Sequence, residues 1–402
     1  MSHRFFHTSD WHLGKKLFKE SRLPEQEAFL SWLLVQIKKE KPNVLCISGD
    51  IFDTPHPSSE AQALYYGFLK EAVSENELEI FIISGNHDSG RFLEAPIPFL
   101  KDQSIHIVGS LEGQKRTYSY HREGVSYHLF PYFRSHELYN YARTNFPEEL
   151  GAIEKADATS ETIGLLNKLV DSLFEFKEGQ KNVLLAHHLF GNGELSGSEL
   201  GLSLSGLESI PLSLLKERFD YVALGHLHNH QYLSRTDPIV CYSGSPISFR
   251  FSERKNKKMN MVSLENQNLE VEELAIPVFR QLYELKLTPE NYKENLLELV
   301  KNQSEEKLES FLEVQIKSNI PLKGISDEIR SLIEQSPIKL LSLQTKITGH
   351  KEADKEMRDS KDISAEELFE QFYLNKYEGE NNLPIELKNL FNDLLTEARG
   401  TS

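Results

Sequence analysis

Five short polar clusters in the first 230 residues contain the residue types that bind metal ions or move protons. They are TSDWHLG, SGDIFD, SGNHDS, LAHHLFG and LGHLHNH, and they contribute Asp10, His12, Asp50, Asp53, Asn86, His87, Asp88, His187, His188, His226, His228 and His230. The set offers carboxylates, imidazoles and one amide but no thiolate. Hard or borderline divalent ions such as manganese, iron or zinc accept this mixture. The clusters therefore predict a divalent metal site.

Each cluster directly follows a short apolar segment that is typical of a buried strand. The five segments are RFFHTS (4–9), NVLCISG (43–49), LEIFIISG (78–85), NVLLAHH (182–188) and DYVALGH (220–226). Helical spacing in residues 24–41, 58–74 and 161–177 separates several of them, which predicts a layered α/β domain. Ligands of open α/β sheets bind at the carboxyl ends of the strands, so the five clusters can converge on one pocket.

The number of donors exceeds the needs of a single ion. Asp-x-His and His-x-His each place two side chains on one side of an extended segment, because alternate residues of a strand share a face. The set is too large for one tetrahedral site and sufficient for two ions that share a bridging carboxylate. Two ions about 3.5–4 Å apart can clamp the oxygens of an in-line phosphoryl displacement. We expect Gly85 to give the turn after the third strand its conformational freedom.

Composition restricts the class of protein. The 45 Lys and Arg against 61 Asp and Glu leave a net charge of −16, which argues against a general nucleic-acid binder but permits a local basic groove. The two cysteines, Cys46 and Cys241, form no CxxC pair and are typical of a reduced, intracellular protein. The chain shows no signal peptide and no apolar run long enough for a membrane span, so we expect a cytoplasmic protein.

The remainder of the chain predicts two further parts. Residues 115–132 and 259–276 have the pattern of hairpins. After Pro277, strand-like and helix-like segments alternate at 279–287, 289–302, 311–317, 325–335 and 338–347, and a charged linker leads from residue 350 to two amphipathic stretches. The predicted domains are thus 1–277, 278–349 and 350–402.

The ordered motifs D-x-H, GD, GNHD, H and GHxH resemble those of the calcineurin-like metallophosphoesterases. The longer forms SDWHLGK, GDIFD, GNHDS and ALGHLH, with YSGSPISFRFSE at 242–253, are similar to those of the nuclease subunits of bacterial SbcCD complexes. The resemblance covers nearly the whole chain and is sharpest up to Glu253. It implies an α/β fold in which helices flank a metallophosphoesterase β-sandwich, followed by a small α/β capping domain and a C-terminal helical tail.

The resemblance also implies a role for each motif residue. Asp10, His12 and His228 would bind a first metal ion. Asn86, His187 and His226 would bind a second, with Asp50 bridging the two and His87 acting as the catalytic histidine. We expect Asp53 and Asp88 to orient histidines, and the adjacent His188 leaves a one-residue ambiguity over the ligand.

By the same resemblance the chain would be a manganese-dependent 3′→5′ exonuclease on duplex ends and an endonuclease on single strands or hairpins. Its partners would be DNA, a second copy of itself and an SbcC-like coiled-coil ATPase, in a heterotetramer that serves DNA replication, recombination and repair. A phosphodiesterase or phosphatase of the same fold acting on small molecules is the alternative. A scaffold without activity is a weaker one, because none of the principal ligands is missing.

Two further sets of residues are predicted to make contacts outside the metal site. Backbone phosphates of DNA would meet Lys15, Lys16, Arg22, Arg91, Arg250 and Arg254. The tail carries −6 net charge in residues 351–402, and its apolar stripes suit a helix-in-groove contact with the ATPase. Those stripes include Leu368, Phe369, Phe372, Leu390, Phe391 and Leu394.

Overall fold

Two six-stranded sheets form the centre of the fold. The computed structural model describes residues 3–74, 77–100, 104–111, 117–147, 158–194, 209–253, 256–302 and 308–347, with residues 369, 373, 387 and 391. The first sheet has the order β14-β13-β1-β4-β5-β6 and contains β1 (His3–Thr8), β4 (Val44–Ser48), β5 (Glu79–Ile83), β6 (Ile105–Val108), β13 (Lys258–Glu265) and β14 (Asn268–Ala275). The second has the order β11-β12-β10-β9-β8-β7 and contains β7 (Ser119–Arg122), β8 (Val125–Phe130), β9 (Lys181–Ala186), β10 (Tyr221–Leu224), β11 (Gln231–Arg235) and β12 (Ile239–Tyr242).

The central strands of both sheets are parallel. In the first sheet β1, β4, β5 and β6 run parallel, and the β13–β14 hairpin adds antiparallel strands beside β1. In the second sheet β8, β9, β10 and β12 run parallel, with β7 and β11 antiparallel at the edges. The predicted hairpins at 115–132 and 259–276 therefore exist as β7–β8 and β13–β14.

Both faces of β4 and β5 in the first sheet are buried, which explains why these strands are almost continuously apolar. Successive side chains of a strand point to opposite faces. Phe5 accordingly packs between the two sheets with Phe81 and Tyr221, whereas Phe6 faces the helices. The apolar core therefore continues on both sides of β1.

Helices pack on the two six-stranded sheets, and the last two helices pack on a smaller third sheet. They are α1 (Leu23–Glu40), α2 (Ser59–Ser74), α3 (Gly90–Glu94), α4 (Ile97–Leu100), α5 (Ser135–Asn145), α6 (Ala158–Leu173), α7 (Tyr292–Lys301) and α8 (Ile325–Ile333). In α1, Phe29, Leu33 and Ile37 recur every four residues and form the apolar stripe that packs beside α2 on the first sheet. Leu165 and Leu169 of α6 belong to the same buried apolar cluster as Phe5, Phe81 and Tyr221. The predicted layered α/β sandwich is confirmed.

The segments after Pro277 form a smaller sheet with its own core. The strands β15 (Leu282–Leu287), β16 (Ser310–Ser318) and β17 (Ile338–Ile347) lie in that order, and β15 and β16 are parallel. Leu296 of α7 and Ile329 of α8 are fully buried against them. A short hairpin, β2 (Lys16–Leu17) and β3 (Glu20–Ser21), follows the first polar cluster.

The chain divides into two compact units. One contains Met1–Lys317 and Leu322–Lys346, and the other contains Ser318–Pro321 and Ile347–Ser402. The boundaries expected after residues 277 and 349 stay predictions. Within the described part of the chain no helix has the length and apolar character needed to cross a membrane.

Few of the tail residues predicted to bind a partner are described. The rings of Phe369 and Phe391 stack with centroids 4.1 Å apart and an interplanar angle of 2°. Leu368, Phe372, Leu390 and Leu394 lie outside the described residues. The two amphipathic stretches thus touch at this aromatic pair, and the predicted partner contact stays a prediction.

Candidate metal centre

The side chains that follow β1, β4, β5, β9 and β10 meet at one edge of the two sheets. Asp50 Oδ2 lies 3.4 Å from His12 Nε2 and 3.4 Å from His187 Nε2. His12 Nε2 is 3.2 Å from His228 Nε2. His187 Nε2 is 3.9 Å from Asp10 Oδ1. Asp50 therefore stands between two groups of donors, as a bridging carboxylate would.

The remaining predicted ligands complete the second group. His226 Nδ1 is 3.1 Å from Asn86 Oδ1, and the His187 and His226 rings meet edge to face with centroids 5.5 Å apart. All seven predicted ligands are thus brought together, and their assignment as ligands stays a prediction. One donor atom from each of Asp10, His12 and His228, and likewise from Asp10, Asp50 and His187, lies within 4.8 Å of the others.

The donors fit divalent cations. Two carboxylates, Asp10 and Asp50, are 0% and 2% exposed, so their charges have little water to stabilise them. Two imidazole Nε2 atoms, of His12 and His228, face the same space, where lone pairs repel unless a cation or a shared proton lies between them. The donor atoms at this site are oxygens and imidazole nitrogens, a mixture that hard or borderline divalent ions accept.

The histidine donors differ in protonation while no ion is bound: at pH 7 His12 is neutral, whereas His187 holds a proton that a cation must displace. Burial lowers the pKa of His12 to about 4, although Asp50 and Asp53 oppose the shift, so its imidazole is neutral at pH 7. Burial also lowers the pKa of His187, but Asp50 and Asp10 outweigh it and raise the value to about 9. Burial would raise the pKa of Asp50, and its histidine neighbours hold it well below the usual range. Asp50 is therefore an anion ready to bind a cation.

Several ligand residues occupy unusual backbone conformations. Asp10, His12, Asp50 and His226 have φ values of 53°, 44°, 51° and 103°. Left-handed backbone is uncommon outside glycine and is concentrated at functional sites. At Gly85 the need is different from the expected conformational freedom, because a Cβ there would overlap the carboxylate and backbone nitrogen of Asp50. Gly85 is required by close approach.

A glutamine of α1 holds the first ligand loop. Gln26 is 1% exposed, and its Nε2 donates to the carbonyl oxygens of Trp11 and His12 at 3.1 and 2.6 Å. Its Oε1 accepts from the Gly14 N–H at 3.0 Å. The carboxylate of Asp10 is fixed separately, by the hydroxyl of Ser9 and by the His226 N–H. The first ligand loop is therefore held before any ion arrives.

His12 and His228 each have a carboxylate near Nδ1, and each of these carboxylates pairs with a lysine. Asp53 Oδ1 lies 3.3 Å from His12 Nδ1 and 2.6 Å from Lys15 Nζ, and the orienting role expected of Asp53 stays a prediction. These partners lower the pKa of Asp53 to about 2 against the effect of its burial. A carboxylate on Nδ1 favours the tautomer whose Nε2 lone pair faces the site.

The second arrangement of this kind was missed in the sequence. Glu253 Oε1 is 3.9 Å from His228 Nδ1, and Glu253 Oε2 is 3.1 Å from Lys257 Nζ. The side chain of Glu253 is fully buried, and His228 and Lys257 lower its pKa to about 2 against that burial. Phe249 packs edge to face against both His12 and His228. The position of Glu253 at the end of YSGSPISFRFSE was the only signal for its role.

Asp88 does not occupy the expected place beside a histidine. Its carboxylate accepts hydrogen bonds from the backbone N–H groups of Ile51, Phe52 and Gly85 at 3.1, 3.0 and 2.9 Å. Burial and the nearby Asp50 raise the pKa of Asp88 to about 6, although these three bonds oppose the shift. Asp88 joins the loops after β4 and β5, and so sets the spacing between Asp50 and the GNHD turn.

His87 lies beside the donors rather than between them. Its Nδ1 is 2.8 Å from the carbonyl oxygen of Asp53, which can only accept, so Nδ1 carries a hydrogen and Nε2 is left for proton transfer. Its backbone N–H donates to Asp50 Oδ1 at 2.9 Å, and its ring stands edge to face on His12 at 4.7 Å. His87 also approaches His12 and Asp53 closely enough to share an ion with them.

The surroundings of the two adjacent histidines favour His187 as the ligand, which stays a prediction. His187 faces the carboxylates, whereas His188 is stacked on Tyr132 with centroids 5.1 Å apart and packs on Phe133. Burial lowers the pKa of His188 to about 3, so it stays neutral. His230 bonds to Asn260 at 2.8 Å, away from the donors.

The residues predicted to contact DNA differ in their exposure and pairing. Lys16 and Arg250 are exposed and line, with Phe18, a groove of ≈ 570 Å³. Arg91 is exposed at a second depression of ≈ 440 Å³, which Asn86 also lines. Lys15 lines the groove but is paired with Asp53, and Arg254 lies outside the described residues.

Arg22 must be removed from the predicted contacts. It is 1% exposed, and its Nε and Nη2 bind Glu25 at 2.7 and 2.6 Å. A buried guanidinium in a bidentate ion pair cannot reach a DNA phosphate. The basic run after the first motif gave no sign of this burial, because Arg280, which shares Glu25 with Arg22, comes from a distant part of the sequence.

Comparison with known proteins places this centre in a family. A family model described as calcineurin-like phosphoesterase matches residues 3–230, and a model described as type 5 capsule protein repressor C-terminal domain matches residues 278–377. The D subunit of the nuclease SbcCD from Staphylococcus epidermidis is 27% identical over 374 residues, which are 92% of this chain and 93% of that protein. The D subunit of the nuclease SbcCD from Bacillus subtilis is 31% identical over 258 residues, which are 62% of this chain and 63% of that protein.

Among solved structures, the crystal structure of a dimetal phosphatase from Danio rerio matches with a TM-score of 0.43 and 11% identity, over 69% of this chain and 97% of that one. The resemblance stated from the strand-end motifs is confirmed by the family models and the curated relatives. The calcineurin-like phosphoesterase model alone spans more than half of the sequence, and the chain belongs to that family.

Proposed function

We propose that the chain is a metal-dependent DNA nuclease that hydrolyses phosphodiester bonds with two divalent metal ions, most suitably manganese. The observation that carries the proposal is Asp50, which stands 3.4 Å from a histidine of each donor group. Phe249 packs on His12 and also lines the groove that carries the exposed Lys16 and Arg250. The names of the two bacterial relatives support DNA as the substrate. The resemblance suggests 3′→5′ cleavage of duplex ends and endonucleolytic cleavage of single strands and hairpins.

We assign Asp10, His12 and His228 to one ion and Asn86, His187 and His226 to the other, with Asp50 shared. When bound, two divalent cations supply Lewis acidity for an in-line phosphoryl displacement. Asp53 lies near Nδ1 of His12 and Glu253 near Nδ1 of His228. These carboxylates favour the tautomer in which the Nε2 lone pair faces the site. Asp88 keeps the loops that carry Asp50 and Asn86 at a fixed separation.

We assign to His87 the donation of a proton to the leaving oxygen. The carbonyl of Asp53 fixes its Nδ1–H, so its Nε2 can carry a second proton and give it to the departing 3′-oxygen. The edge-to-face contact with His12 limits rotation of the ring. His87 therefore acts from beside the ions, as a proton donor or hydrogen-bond donor.

DNA is held by contacts to its backbone in this proposal. Lys16 and Arg250 lie on the wall of the 570 Å³ groove, where they can neutralise phosphates without reading sequence. Phe18 is 51% exposed in the same wall and offers a ring on which an unpaired base can stack. Arg91 and Asn86 line the same depression of ≈ 440 Å³, where Arg91 can hold a phosphate beside the metal centre.

The assembly belongs to the proposal as well. Both bacterial relatives carry the name of one component of the nuclease SbcCD, and we propose that this chain also acts as a dimer with an SbcC-like coiled-coil ATPase. The tail after residue 350 is the segment proposed to bind that ATPase.

The test is degradation of end-labelled duplex and single-stranded DNA by the purified chain with Mn²⁺, with and without a chelator. We expect cleavage that depends on the metal. Asp50→Asn should abolish cleavage and reduce the bound metal measured by mass spectrometry, because both donor groups share this carboxylate. Hydrolysis of small phosphodiesters without any cleavage of DNA would favour the small-molecule alternative, and full metal content in active Asp50→Asn would refute the two-metal assignment.

A further inference from the structure

A small cavity lies between the start of α1, the loop 246–248 and the segment 277–282. The volume open to the centre of a water-sized sphere is ≈ 30 Å³. By that measure one water needs roughly 10–15 Å³. The cavity therefore holds two waters or one monatomic ion, and it is too small for a phosphate group of DNA.

The side chains around the cavity have an excess of positive charge. Arg22 and Arg280, 1% and 9% exposed, share the single carboxylate of Glu25. Arg22 Nη2 is 2.6 Å and Arg280 Nε is 3.0 Å from that carboxylate. Lys257 also lines the cavity, but Glu253 balances its charge. Guanidinium groups do not lose their protons in proteins, so one positive charge remains buried.

Two buried nitrogens of the arginines that line this space, Arg22 Nη1 and Arg280 Nε, form no hydrogen bond with the described residues. Arg22 uses Nε and Nη2 for Glu25, and its Nη1 is buried with no hydrogen-bond partner among the described residues. Arg22 also precedes the first residue of the 18-residue helix α1, whose N-terminal end adds positive potential. A water would satisfy Nη1 but leave the charge, whereas an anion would satisfy both.

We propose that this cavity is a binding site for one monatomic anion, chloride under physiological conditions, held by Arg22 and the shared charge of Arg280. The site is separate from the metal centre and does not depend on the proposed nuclease activity. Its occupant would neutralise the junction between α1 and the segment that leads into β15.

The direct test is anomalous diffraction from crystals of the full chain grown or soaked in bromide. We expect one anomalous peak in the cavity, within hydrogen-bonding distance of Arg22 Nη1. In solution, thermal unfolding at constant ionic strength should show a midpoint about 2 °C higher in chloride than in gluconate, which is too large to enter.

Arg280→Gln leaves Arg22 and Glu25 as a neutral pair, so the bromide peak and the chloride effect should both disappear. The matched control is Arg235→Gln, which removes a cation whose side chain is 68% exposed and should leave the chloride effect unchanged. A cavity without anomalous density in bromide would overturn the proposal. So would a chloride effect that persists in Arg280→Gln.

Discussion

Glu253→Gln should weaken metal binding although Glu253 is not itself a proposed ligand. Its Oε2 accepts from the Phe249 N–H at 3.0 Å and from Lys257 at 3.1 Å, and a glutamine amide oxygen can take over both bonds. The amide nitrogen must then replace Oε1, which faces His228 Nδ1. A donor would meet a donor there, so His228 would move its hydrogen to Nε2, the atom that faces His12 and the metal site.

The expected loss in metal affinity is about 10–100-fold, the usual effect of removing such a supporting carboxylate. Stability should fall as well, because the ammonium of Lys257 stays buried without its counter-charge. Breaking a buried pair costs about 3–5 kcal/mol. We expect a loss at the lower end of this range, since Lys257 also donates to His228 O at 3.0 Å and Ser245 Oγ at 2.9 Å.

The two effects can be separated by experiment. Metal affinity is measured by competition with a fluorescent chelator, and stability by urea unfolding of the metal-free chain. In Glu253→Gln combined with Lys257→Met the buried charge is gone, so stability should recover while metal affinity stays low. The matched control is Glu273→Gln, which breaks partly exposed ion pairs with Arg235 and Lys258 and should leave metal affinity unchanged. Wild-type metal affinity in Glu253→Gln would refute the positioning role.

Other substitutions address the remaining assignments. His87→Ala should keep full metal content and lower the turnover of DNA by roughly 10²-fold or more, since His87 supplies a proton and no metal bond; loss of metal in that variant would make His87 a ligand. Gly85→Ala should cost about 1–3 kcal/mol in urea unfolding and displace Asp50, so that bound metal falls. Its control is Gly67→Ala in α2, where a Cβ meets nothing within 4 Å, and equal behaviour of the two alanines would contradict the close-approach argument. Deletion of residues 363–402 should leave manganese-dependent cleavage of single strands intact and abolish binding to an SbcC-like ATPase, whereas stoichiometric co-purification of the truncated chain would defeat the assignment of the tail.

The predicted metal residues could be located from the sequence because each follows a strand. A buried strand is a short apolar run, and its end is visible where polar residues begin. The parallel topology then brings Asp50, Asn86 and His187 to one edge. These inferences depend only on residues that are neighbours in the sequence, so the pattern of apolar and polar residues is sufficient to make them.

The supporting residues could not be found in that way, because their roles depend on distant parts of the chain. Glu253 reaches His228 across 25 positions, and Arg22 is enclosed by Arg280, 258 positions away. In the sequence Arg22 is one more cation in a basic run. Asp88 lies beside a histidine in the chain, yet its carboxylate accepts from the backbone N–H groups of Ile51 and Phe52 in another loop and of Gly85 in its own.

The left-handed residues at the metal centre mean that the metal-free protein is less stable than its fold allows. Non-glycine residues in sparsely populated conformations cost about 1–3 kcal/mol each, and Asp10, His12, Asp50 and His226 have positive φ. Ion binding would offset this cost, so the melting temperature should follow the free metal concentration. Selection for heat-resistant variants in the absence of metal should therefore favour glycine at these positions. The selected proteins would be more stable but would lose the proposed metal ligands and, with them, activity.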